Sequence, residues 1–170
     1  MATYEIIGQI CSFTGMAIVT ASFQINTKRT LLVVQSISTL LFCLSYAFLG
    51  EITGSVLNAI CLVRNFLFYF QKERTRLHNV TTALLVAAMV GAGAYFWAGP
   101  IDLLAILALG INTVFLSFGR PQLLRFSILV SSPIMAVYNG IVGAIFSLIT
   151  EILVIGSSVV GIIRFRREKR

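Results

Sequence analysis

Residues 46–65 read YAFLGEITGSVLNAICLVRN, and residues 138–158 read YNGIVGAIFSLITEILVIGSS. In each, a glycine (Gly50, Gly143) divides one long apolar run from the next, and a strongly polar residue (Asn58, Glu151) sits inside the second run. Laid with Gly50 over Gly143, the segments put Asn58 over Glu151 and Asn65 over Ser158. Tyr46 meets Tyr138 with a slip of one residue. The reading is two hairpins of one design, an internal repeat whose units are too apolar for water.

The composition around them agrees. Of 170 residues 58% are hydrophobic and 11% charged, thirteen are Phe, and the mean hydropathy is +0.94, far outside the range of soluble domains. Disordered and nucleic-acid-binding chains need dense polar sequence, so both classes are excluded. A membrane crossing takes about 20 apolar residues of helix, and continuous apolar runs exclude the alternating strands of a barrel. Seven spans are expected: 4–24, 30–49, 52–70, 79–98, 101–118, 123–142 and 144–163. The breaks are Asn26 with Lys28 and Arg29, Gly50, the run QKERTRLHN, Gly99 with Pro100, Gly119 with Pro121, and Gly143. Each is a helix stop. The first run has the small-residue spacing of a cleavage site at Val19 and Ala21, but Glu5 stands where a signal peptide carries basic residues, so a mature helix is expected.

Lys and Arg near span ends favour the cytoplasmic side. Lys28 and Arg29, then Lys72, Arg74 and Arg76, then Arg120 and Arg125, then Arg164, Arg166, Arg167, Lys169 and Arg170 mark every second connection, whereas Glu5, Glu51 and Asp102 mark the others. This pattern predicts an N-terminus outside and a C-terminus in the cytoplasm, and it accounts for the net charge of +7 without an anionic partner. The architecture expected is all-α and integral to the membrane, as two parallel triple-helix bundles joined by a linker helix. Residues 1–72 form the first bundle, 73–99 a cytoplasmic turn and the linker, and 100–170 the second bundle with its basic tail. The small-residue stretch AAMVGAGA in the linker lets neighbouring helices approach closely.

The single histidine, His78, and the scattered Cys11, Cys43 and Cys61 match no metal-ligand or triad pattern. No cofactor, metal or enzyme activity is expected. Polar residues within the spans are the candidates for function, because an ionised group at mid-bilayer costs about 2.5–3.5 kcal/mol even on mild scales. Glu51, Asn58 and Asn65 recur every seven residues, which places them on one helix face, and Ala144, Glu151 and Ser158 repeat the spacing. Gln35, Ser131, Ser132 and Asn139 add lining candidates, and Pro133 would free a backbone carbonyl or kink its helix. Arg64 falls on a different side from Asn58 and reads as snorkelling toward the cytoplasmic end. Trp97 and Tyr95 read as interfacial anchors.

The segments INTKRTLLVVQS, SYAFLGEITGSVLNAI and ITEILVIGSSVVGIIRFRRE resemble the YgjV family of bacterial inner membrane proteins along essentially the whole chain. More remotely, SFQINTKRT followed by a third helix with Asn58 is similar to the SWEET and PQ-loop superfamily of small-solute transporters, whose parallel repeats are known. The resemblance implies a substrate-facing asparagine on the third helix of each triplet. Asn58 holds that place in the first and Glu151 in the second. Phe23 precedes Gln24 where that superfamily has proline, and Pro121-Gln122 lies in a turn.

The expected function is movement of a small, sugar-like polar solute by alternating access. The substrate-binding residues would be Asn58, Glu151, Asn65, Ser158, Gln35, Ser131 and Asn139. The alternatives are a proton-coupled carrier of an amino acid or vitamin, with Glu151 carrying the proton, and a structural or regulatory membrane protein. The partners expected are membrane lipids and the solute, with no nucleic acid. Both halves lie in one chain, so a homo-oligomer is not required.

Overall fold

The computed structural model describes residues 3–25, 27–71, 75–97 and 99–167. Among them are seven helices and no strand: α1 (Thr3–Ser22), α2 (Lys28–Phe48), α3 (Ile52–Phe70), α4 (Arg76–Tyr95), α5 (Asp102–Ser117), α6 (Pro121–Ile141) and α7 (Ile145–Arg167). Six are long and apolar enough to cross a membrane. The seventh, α5, is shorter than its expected span. Its 16 residues rise about 24 Å, short of a hydrocarbon core of about 30 Å, because the turn at Gly99–Ile101 and Gly119 at φ 67° bound it closely. The start of α4 also moves, from the expected Asn79 to Arg76, since the Thr75 hydroxyl accepts the backbone N–H of His78 and caps the helix there. Pro133 lies inside α6, which continues as one helix from Pro121 to Ile141. Asn26, Lys72, Arg74, Lys169 and Arg170, and the boundary expected at 72–73, lie outside the described residues.

The turns at Gly50 and Gly143 share most of their hydrogen bonds. The Glu51 N–H donates to Tyr46 O at 2.9 Å and the Ala144 N–H to Asn139 O at 3.0 Å. Ile52 then donates to Gly50 O, and Ile145 to Gly143 O. Both are helix ends closed through a left-handed residue, at φ 82° and 74°, a conformation that glycine adopts without steric cost.

Helix α1 packs on α2, α2 on α3, α5 on α6 and α6 on α7; α1 meets α7 and α3 meets α5, while α4 lies against α3 and α5. Six helices therefore form a closed ring, with α4 outside it. Exchanging the triplets α1–α3 and α5–α7 carries the α1–α7 contact onto the α5–α3 contact, as a two-fold axis through the ring requires. Large apolar side chains face outward, Phe66, Leu84 and Ile152 each being at least 64% exposed. In water such a surface would aggregate; in a bilayer it is the lipid face.

The end with Gly50 and Gly143 also holds the α4–α5 turn, where the Thr53 hydroxyl lies 2.8 Å from Phe96 O and 3.2 Å from an Asp102 carboxylate oxygen. Glu51 stands beside this cluster, outside the spans. Burial, and then the charge of Asp102, push its carboxyl above the ordinary value of 4.5. Folding thus favours the protonated form, so this stabilisation is complete below about pH 4.5 and is lost as pH rises through the folded-state value. The unfolding midpoint of the wild type is expected to fall over that window. Glu51→Gln, which cannot titrate, should show a smaller fall in detergent melts; superimposable pH profiles would count against the assignment.

Candidate functional site

Inside the ring is a cavity of about 120 Å³ to which all six ring helices contribute and α4 does not. Its lining makes the two-fold relation visible residue by residue. Tyr46 and Asn139, 93 positions apart, bond to each other, and the same offset pairs Val19 with Asn112, Gln35 with Ile128, Ser38 with Ser131, Thr39 with Ser132, Phe42 with Met135, Asn58 with Glu151 and Cys61 with Val154. Both members of each of these last seven pairs line the cavity. The repeat therefore extends beyond the second hairpins to α1 with α5 and α2 with α6.

Asn58 and Glu151 each lie six residues into their helices, about 9 Å along the axis. Asn58 is 7% exposed, and its amide N–H₂ donates to Gly54 O one turn back, which steadies the side chain. Glu151 is half-buried, with the Ser132 hydroxyl beside its carboxylate. Arg64 corrects the snorkelling expectation. It is 6% exposed and lines the same cavity as Asn58 and Glu151. Its Nε–H and one NH2 donor reach Asn65 Oδ1 at 3.1 and 2.8 Å, and an NH1 donor reaches the Thr113 hydroxyl at 2.9 Å. The physical reason is side-chain direction. A long helical side chain leans back over the preceding turn, which here carries the guanidinium toward mid-helix.

Apolar clusters bound the cavity along the axis. Toward the Gly50 end, Tyr46, Leu57, Met135 and Tyr138 pack together. There Tyr46 donates to Asn139 Oδ1 across the ring, and its ring centre lies 6.2 Å from that of Tyr138. Gly54 makes room for this plug: a Cβ at that position would stand 2.9 Å from the Tyr138 hydroxyl and 3.1 Å from the Tyr46 ring. Toward the other end lie Phe23, Leu31, Leu32, Phe68, Leu116 and Leu124.

The structure brings four of the seven residues expected in the site to the cavity: Asn58, Glu151, Gln35 and Ser131. The other three stand elsewhere. Asn65 is buried behind Arg64 and orients its guanidinium, Asn139 belongs to the tyrosine plug, and Ser158 is fully buried with its hydroxyl unbonded. Sequence reasoning passed over Ser38, Thr39, Asn112 and Thr150 as lining residues; Asn112 also accepts a hydrogen bond from Ser127. The offset of 93 that pairs Asn58 with Glu151 finds Ser38 and Thr39 as the counterparts of Ser131 and Ser132, whereas the counterpart of Asn112 is the apolar Val19. Among the described residues no three His, Cys, Asp or Glu side chains gather as a metal site.

Apolar helices around a polar interior define a multi-pass membrane protein. The family described as bacterial inner membrane protein, Imp-YgjV, matches residues 6–169. The chain belongs to this family. Searches for similar curated proteins and for similar solved structures find no match.

Proposed function

We propose that this protein is a carrier of a small polar solute, not an enzyme, and that it works by alternating access. The observation that supports this most is the cavity: seven pairs of equivalent positions from two triplets surround one polar space between two apolar closures. Rocking one triplet against the other about the shared axis opens the tyrosine plug while the opposite cluster stays packed, and the reverse. Parallel-repeat transporters such as SWEETs carry their substrate site at such a repeat interface. By the basic residues at one end (Lys28, Arg29, Arg76, Arg120, Arg164), that end faces the cytoplasm and the tyrosine plug faces outward. At about 120 Å³ the cavity is well below the roughly 300–1,000 Å³ of drug-sized sites, which favours a solute of few heavy atoms.

The test is thermal unfolding of the purified protein in detergent against sugars, amino acids, nucleosides and vitamins. A ligand bound only by the folded state raises the midpoint. A saturable rise that Asn58→Ala weakens is the expected result. No rise with any solute would remove the basis for a carrier.

A further inference from the structure

We propose that the solute is a small zwitterion, held with its carboxylate on Arg64 and its ammonium on Glu151. This rests on the carrier reading and names its substrate class. Arg64 is a buried cation whose three hydrogen bonds all go to neutral groups, two to Asn65 Oδ1 and one to Thr113. Thr113 in turn donates to Leu109 O, so its oxygen is held in the accepting orientation toward the guanidinium. A guanidinium has five N–H donors, and the other two are available to an anion in the cavity that Arg64 lines. Fork-like binding of a carboxylate is what this group does best.

Glu151 supplies the opposite charge in the same cavity. The two charges are also where the chain departs from its own two-fold repeat. The offset of 93 places Glu151 opposite the neutral Asn58 and Arg64 opposite the neutral Ser157, which is turned away to Gln24. The cavity of a symmetric scaffold thus carries one cation and one anion: Asn65 and Thr113 hold the guanidinium, and the Ser132 hydroxyl stands beside the carboxylate. Their backbone levels differ by six residues, about 9 Å, and the backward lean of Arg64 shortens that distance. A molecule with both charges compensates both groups at once, whereas an ion of one sign leaves the other group buried without a counter-charge.

Four isosteric probes separate the charges: glycine, propionate without the ammonium, glycinamide without the carboxylate, and propionamide with neither. Midpoint rises are titrated with each at neutral pH on the full chain. The expected result is half-saturation by glycine at a concentration at least tenfold lower than by the other three. Glu151→Gln should transfer the preference to propionate, and Arg64→Gln to glycinamide; a purely structural role for either residue would not exchange the ligands. Equal shifts by propionamide and glycine overturn the zwitterion while leaving the carrier. Variants that melt earlier or lose glycine binding without switching preference overturn it too. Failure of these probes and of the whole solute panel overturns both readings.

Discussion

Arg125→Ala should destabilise the fold by about 3 kcal/mol, the order expected when one partner of a buried charged hydrogen-bonding group is removed. The sequence reads Arg125 as one of the basic residues flanking a turn, yet the side chain is completely buried. Its Nε–H donates to Phe23 O at 3.0 Å and an NH2 donor to Ile25 O at 2.9 Å, carbonyls just past the end of α1 that the helix itself cannot satisfy. The fit depends on Gly161 of α7, where a Cβ would come within 2.7 Å of that Nε. One side chain of α6 therefore ties α1 to α7 at the junction that closes the ring. Arg125→Lys should recover little, because a single ammonium cannot reproduce the planar fork. Equilibrium unfolding in mixed micelles checks this, and wild-type stability in the alanine variant would contradict it.

The other large effect concerns the solute and not the fold. Ser131 is 3% exposed and faces the cavity opposite its repeat partner Ser38. Ser131→Leu puts a branched apolar side chain into a space of about 120 Å³ and removes a hydroxyl from its wall. Filling existing space costs far less than overpacking a tight core, so the melting midpoint should stay near that of the wild type. Solute affinity should drop at least about tenfold, equivalent to about 1.4 kcal/mol. The check is the concentration of solute that half-saturates the midpoint rise; an undiminished affinity would show that the solute binds elsewhere.

Helix number and nearly all boundaries were legible because glycine turns and basic runs interrupt otherwise continuous apolar sequence. The paired turns at Gly50 and Gly143 were the clearest case, since their local hydrogen bonding depends only on nearby residues. The ring was not legible: which helix lies against which is decided by side-chain fit, as where Gly54 admits the tyrosine plug. Arg64 and Asn65 show the limit at the site. Seven-residue spacing drifts about 20° per repeat around an α-helix, and it marks where a side chain leaves the backbone, not where a long one ends. Asn65 therefore shares the stripe of Asn58 without reaching the cavity, while Arg64, off that stripe, does reach it. Ser158 follows Glu151 by the same spacing and is likewise packed away from the cavity.

Cys61 gives the most direct test of alternating access, because this native thiol lines the cavity and is 2% exposed. With Cys11 and Cys43, the other free cysteines, replaced by serine, the protein is reconstituted in one orientation and treated with a small membrane-impermeant methanethiosulfonate on either side of the bilayer. Modification of Cys61 from both sides, slowed by a solute that raises the melting midpoint, is the predicted result. Modification from one side only, or from neither while the unfolded chain reacts, would contradict a cavity that opens alternately to the two faces of the membrane.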